Sequence, residues 1–341
     1  MSRDSRLLAL SLMILTAGAS AQKDAAGSPA TLADVRALMA QGRLDEAQRD
    51  LDSLAGIRPE PAGVERLRGI VSYEKNRMAE AEASFARALA ADPSDFESMQ
   101  MRGVALYRMG RPAEAIPLLE KAHAAGPIAN ADPNYVLALC YIATQRYDDA
   151  RHAFAVQYGF APDSAAAWLL TARMLFRQEL AAPASSAAQH AVELDPHIPL
   201  AHRLLGEILL ANGDLPGALA ELQKEITVDP LDGETYNRMG DVYLRSGQVA
   251  RAQQVLDRAV LLEPNASGPY ILLGKTLLEE KDPVTAIMYL ERAAKIDPSN
   301  SMIHMLLGRA FADAGRRQDA DREFQTLQKL QAAAMPATSR P

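Results

Sequence analysis

Cysteine is almost missing from this chain: Cys140 is the single one in 341 residues, so no intramolecular disulfide can form and stability has to come from packing. It lies in an apolar helical stretch, where a cysteine serves to fill core space. A basic surplus is missing too. Thirty-six Lys and Arg stand against 43 Asp and Glu, a formal charge of -7, whereas sequence-independent nucleic-acid binding needs a basic footprint. A long hydrophobic run is also wanting, since the apolar stretch Leu7 to Ala17 falls well short of the ~20 residues that span a bilayer.

Catalytic signatures are equally scarce. The chain holds no His-Glu-x-x-His, no nucleophile elbow and no glycine-rich dinucleotide turn. Gly268 to Thr276 resembles a phosphate-binding loop, but it has five residues between its glycines and lies inside a helical pattern, where such a loop must join a strand to a helix. Of the six histidines, His202 and His304 occupy large packing positions, and His123, His152, His190 and His197 lack ligand spacing to one another. Asn265-Ala266-Ser267 fits a glycosylation triplet but reads as a turn at a repeat junction. No enzyme activity, catalytic residue, metal or small-molecule cofactor is therefore expected.

What the chain does have is a period. Ala47, Ala81, Ala115, Ala150, Ala184, Ala218, Ala252, Ala286 and Ala320 are 34 residues apart, with one step of 35 between Ala115 and Ala150. A second ladder follows twelve residues behind, through Pro59, Pro93, Pro127, Pro162, Pro196, Pro230, Pro264 and Pro298. A fixed 34-residue period is the mark of a helical repeat array. In the clearest unit, residues 267–300, Tyr270, Leu273, Gly274 and Leu277 mark one helical face and Ala286, Leu290, Ala293 and Ile296 another. Lys281-Asp282-Pro283 breaks the two helices, with proline suited to the first turn of the second. Asp297-Pro298 ends the unit, so each unit is a helix hairpin.

This pattern resembles the tetratricopeptide repeat family: a large residue, Leu-Gly, an aromatic, then Ala, Leu or an aromatic, Ala and Pro. The small position of the first helix is Gly69, Gly103, Ala138, Ala172, Gly206, Gly240, Gly274 and Gly308, with only Val35 departing. The resemblance covers residues 28–334 as nine repeats: 28–61, 62–95, 96–129, 131–164, 165–198, 199–232, 233–266, 267–300 and 301–334. It implies an all-α, right-handed superhelical solenoid. Before it, residues 1–21 carry Arg3 and Arg6, the apolar run and Ala19-Ser20-Ala21, which together read as a cleaved secretory signal. Residues 22–30 are expected to be a flexible lead-in and 335–341 a disordered tail. The destination expected from the signal and the Ala-rich, Arg-over-Lys composition is the bacterial periplasm or the exterior.

In the family the inner wall comes mainly from the first helix of each hairpin. Here that wall would show Ile70, Tyr73, Met101, Val104, Tyr107, Tyr135, Leu139 and Ile142 in repeats two to four. In repeats five to nine it would show Arg173, Arg203, Glu207, Asn237, Arg238, Asp241, Lys275 and Arg309. Aromatics and arginines are the usual anchors of binding hot spots. The opposing reading is that the apolar residues pack between hairpins and the charges form a solvated face. No three consecutive repeats carry the Lys, Asn and Arg set with which chaperone-binding members hold a C-terminal carboxylate, and the Asn ladder of sugar-transferring members is absent.

The function this implies is a non-catalytic scaffold binding a peptide or partner protein on the concave surface, in the cell envelope. The alternative is a structural accessory of an outer-membrane assembly or a polysaccharide or protein export system, with peripheral contact to that machinery. The extra residue at Gly126 to Ala131, Gln157 in place of the usual Ala, and a thin second helix from Ala182 to Val192 make the middle irregular. Hydrogen exchange is accordingly expected to be fastest between about 126 and 195; uniform protection along the array would refute it.

Overall fold

Nine times the chain leaves one helix and reverses into the next within a few residues, and the backbone does it the same way each time. The computed structural model describes residues 30–126 and 133–334. The segment expected to be a signal, all but the last residue of the expected lead-in, residues 127–132 and the expected tail lie outside the described residues. The described residues form eighteen helices and no strand. Four hairpins come first: α1 (Leu32–Ala40) with α2 (Leu44–Ala55), α3 (Val64–Glu74) with α4 (Met78–Ala91), α5 (Phe96–Arg108) with α6 (Pro112–Ala124), and α7 (Asn134–Ala143) with α8 (Tyr147–Tyr158). Then come α9 (Ala165–Arg177) with α10 (Ala181–Leu194), α11 (Ala201–Ala211) with α12 (Leu215–Val228), and α13 (Gly233–Arg245) with α14 (Val249–Leu262). The last two are α15 (Ser267–Glu279) with α16 (Pro283–Ile296) and α17 (Ser301–Asp313) with α18 (Arg317–Ala334). The chain divides into two compact units, Met1–Asp163 and Ser164–Pro341. Within each, every hairpin packs on its neighbours, and successive first helices touch one another.

Each turn rests on one left-handed residue. Gly42, Asn76, Gly110, Gln145, Glu179, Gly213, Gly247, Lys281 and Gly315 all have φ between 61° and 82°. The next residue then donates its N–H to the carbonyl five positions back, as Arg43 does to Leu38 and Asp282 to Leu277, both at 2.9 Å. This is the Schellman closure of a helix C-terminus. Four of the nine are not glycine, although the left-handed conformation costs an L-residue about 1–2 kcal/mol.

Close crossing of the two helices sets the rest of the hairpin. A Cβ on Gly274 would stand 2.4 Å from Leu290 Cγ, one on Gly240 2.4 Å from Leu256 Cδ2, and one on Gly69 2.5 Å from Phe85 Cε1. The first helix supplies the gap and the second fills it with Leu or Phe. In the fifth hairpin the corresponding residues are Ala172 and Ala188, both buried. That is why α10 is not thin: Ala184, Ala187, Ala188, Ala191 and Val192 are all buried, and their small size lets α10 lie close against α9. Cys140 is fully buried in α7, and desolvation pushes its thiol up to about 12, leaving it protonated and inert at neutral pH.

Polar ends are satisfied within the hairpin. At the ladder position usually held by Ala or Leu near the end of the second helix, Gln157 and Glu225 reach back to the start of their own first helix. Gln157 Oε1 accepts the Tyr135 N–H at 3.2 Å, and Glu225 accepts the Leu200 and Arg203 N–H groups at 2.7 and 3.1 Å. Both helix starts lack a side-chain cap of their own, because their N-cap residues are Pro133 and Leu200. Elsewhere Thr31, Asp95, Ser164 and Asn300 cap locally.

The alanines of the ladder leave no room for a larger side chain. Ala218 and Ala252 are fully buried. Ala218→Leu or Ala252→Leu is expected to overpack the crossing and cost roughly 1–3 kcal/mol or more. Urea titration of both variants checks this, and unchanged midpoints would rule out the crossing as the role of the ladder.

Candidate interaction surface

The first-helix face of the first unit is built by α3 and α5, which lie side by side. Ile70 and Tyr73 on α3 and Met101 and Tyr107 on α5 are half-buried, each offering part of its side chain to solvent. Arg108 from α5 crosses to α3, its guanidinium 5.0 Å from the centre of the Tyr73 ring and its Nη2 2.8 Å from Asn76 Oδ1. One edge of the aromatic patch is therefore cationic and already oriented. Tyr135 is half-buried as well, but its ring lies 6.0 Å from Phe154, at the edge of its own hairpin core.

Three apolar residues expected on the wall are in the core instead. Leu139 and Ile142 are only 6% and 3% exposed. Every residue of α7 from Val136 to Ile142 is buried, because that helix has no polar side to turn outward and sinks into the stack. Val104 on α5 is buried likewise. Of the apolar wall residues expected in repeats two to four, those left half-open are Ile70, Tyr73, Met101, Tyr107 and Tyr135.

In the second unit the charges expected on the wall are largely spent on one another. Arg203 Nη1 on α11 lies 2.7 and 2.8 Å from the two oxygens of Asp232, the residue that begins α13. Glu207 Oε1 takes Arg238 Nε at 3.1 Å, Arg238 Nη2 reaches Glu234 at 2.7 Å, and Asn237 Nδ2 donates to the same carboxylate at 3.1 Å. Asn237 is 7% exposed, so it too belongs to the packed layer. Asp241 pairs with Arg245 at 2.9 Å and Arg309 stands 3.7 Å from Asp313. Arg173 and Lys275 are exposed and make no hydrogen bond or ion pair with another described residue.

The Arg203–Asp232 pair has a counterpart in the first unit. Arg66 Nη1 meets Asp95 Oδ1 at 3.1 Å, again from the first helix of one hairpin to the residue that starts the next, and again 29 residues apart. Arg66 and Asp95 escaped the sequence reading, although the repeated separation was there to find. Among the described residues no group of His, Cys, Asp and Glu could hold a metal ion.

Hairpins with this turn, this crossing and this repeat length make the chain a helical-repeat array of the interaction type. Sequence models described as tetratricopeptide repeat match it over most of its length: one at residues 106–174, 209–273 and 277–336, a second at 32–96 and 181–232. The chain belongs to the tetratricopeptide repeat family. Among solved structures it is similar to MamA 41-end from Desulfovibrio magneticus RS-1, with 21% identity and a TM-score of 0.46, covering 51% of this chain and 98% of that one. It is also similar to a chain of the APC/C hetero-tetramer Cut9-Hcn1, with 17% identity and a TM-score of 0.45, covering 82% of this chain and 55% of that one. A third is YrrB, described as a TPR protein with an unusual peptide-binding site, at 19% identity and a TM-score of 0.44, covering 55% and 95%. None of the curated proteins matches the chain.

Arg203 thus joins hairpins, and its removal leaves the side chain of Asp232, which is 8% exposed, without its cationic partner. Arg203→Ala is expected to destabilise the chain by about 1–3 kcal/mol, while Arg173→Ala stays within about 0.5 kcal/mol of the wild type. Chemical denaturation of the two variants separates the roles; equal stability would leave Arg203 with no joining function.

Proposed function

We propose that this protein is a non-catalytic scaffold that binds a peptide or partner protein on its first-helix face, and that α3 and α5 supply the anchor. The observation that carries this is the patch of Ile70, Tyr73, Met101 and Tyr107, half-open on two neighbouring helices and rimmed by Arg108. Aromatic side chains flanked by an arginine supply large contact area at low entropic cost. Much of the corresponding face of the second unit is taken up by its own ion pairs, whereas the patch on α3 and α5 keeps apolar area open to solvent. Recognition would be of the groove type, with apolar residues of the partner laid against the helices. The setting we propose is the bacterial envelope, on the strength of the first 21 residues of the sequence. Among the described residues no helix is long and apolar enough to cross a membrane.

A second reading, an accessory that docks on an outer-membrane or export assembly, would use the opposite side of the hairpins. It is favoured by Val284 and Met288, which stand about two-thirds exposed one turn apart on α16.

Crosslinking in an envelope fraction, followed by binding assays with the captured segment, tests both. Tyr73→Ala combined with Tyr107→Ala is expected to weaken binding about tenfold or more, with the fold intact by circular dichroism. Undiminished binding by this variant, together with loss on Val284→Ser and Met288→Ser, would move the site to the second-helix face. Mass spectrometry of the exported chain is expected to find Gln22 at its N-terminus.

A further inference from the structure

In four successive hairpins of the second unit one position reaches one target with two chemistries. The hydroxyls of Tyr236 and Tyr270 donate to the carbonyls of Pro230 and Pro264 at 3.3 and 3.1 Å. His202 and His304, at the same place in their repeats, set Nε2 3.1 and 3.0 Å from the carbonyls of Pro196 and Pro298. Each histidine adds a second contact that the tyrosines lack: Nδ1 lies 2.6 Å from Glu221 in one and 2.7 Å from Glu323 in the other. Where the tyrosines stand, the residues matching those glutamates are Val255 and Tyr289.

A carboxylate and a carbonyl can only accept. A neutral imidazole has one N–H to give, and an imidazolium has two. We propose that of the two histidine hairpins, α11–α12 and α17–α18, the latter carries a proton-gated latch, in which doubly protonated His304 ties the start of the hairpin both to its second helix and to the turn before it. Loss of one proton releases one of the two ties. The tyrosine hairpins between them hold the same carbonyl through a hydroxyl, which donates without any charged form.

The surroundings fit. Glu221 on α12 and Glu323 on α18 are the only charged groups within ion-pairing distance of the two rings among the described residues, and Lys224 holds the other Glu221 oxygen at 2.7 Å. Burial works against the charge on His304, but the Glu323 hydrogen bond, the Pro298 carbonyl and the charge of Glu323 outweigh it and raise its pKa. A pKa raised on folding gives a stabilisation that is complete below the unfolded value, about 6.5, and is lost as pH climbs through the folded value. The α17–α18 hairpin is thus tighter in acid and looser above neutrality.

The test uses the full chain. Nitrogen NMR of the His304 imidazole at pH 5.5 is expected to show both ring nitrogens protonated; a neutral ring at that pH would overturn the proposal. Amide protection in residues 301–310, corrected for intrinsic exchange, is expected to fall roughly three- to tenfold between pH 5.5 and 8.5, the worth of one hydrogen bond. His304→Tyr with Glu323→Val installs the chemistry of Tyr236 and Val255 and should abolish that dependence. A fall of the same size in the double variant would also overturn it.

Discussion

Two helices can lie at close range only where one of them has almost nothing to place between the backbones. Here Gly69, Gly103, Gly206, Gly240, Gly274 and Gly308 provide that emptiness, and Leu or Phe from the second helix occupies it. The remaining packing follows from that contact. Once the crossing is close, the ladder alanines must stay small, the second helix must begin at a fixed distance from the first, and the turn must use a left-handed residue to get there. A methyl group at the crossing would press on a leucine at Cγ as well as Cδ2, or on a phenylalanine ring, so the neighbour would have to shift.

The same closeness governs the charges. Side chains that look free when a first helix is drawn alone, such as Arg203 and Arg238, find carboxylates on the adjacent hairpin within 3.1 Å. A half-buried pair of this kind contributes modestly when intact and costs more when one partner is lost. The first-helix face is therefore partly a seam between repeats, and on α3 and α5 that seam leaves apolar side chains half-open.

The hairpins were legible in the sequence because their signals recur: Gly274 with Ala286 and Pro298 means little alone and much when a small residue, Ala and Pro return in register seven times. Gly274 beside Lys275 packs against Leu290, as its place in the repeat implies. The surface was harder to read. Leu139 and Ile142 occupy wall positions by count, yet α7 is apolar on all sides, and only the fold reveals that such a helix is enclosed. Pairing between charges 29 residues apart is invisible to a search along one helix face, which looks three or four positions away. Gln157 was noticed as an exception, but its purpose needed the coordinates of a helix start 22 residues earlier.

Gln157 and Glu225 carry a broader consequence. Each is a polar residue set into an apolar ladder, and each mends a helix start spoiled by Pro133 or Leu200 at the far end of the same hairpin. The defect and its remedy never leave one 34- or 35-residue segment. A single helix copied out of this chain would carry unmet N–H groups with it, whereas a hairpin takes its own repair along. The hairpin is thus the smallest piece that keeps these two helix starts satisfied, and duplication in such steps can lengthen the array without importing that fault.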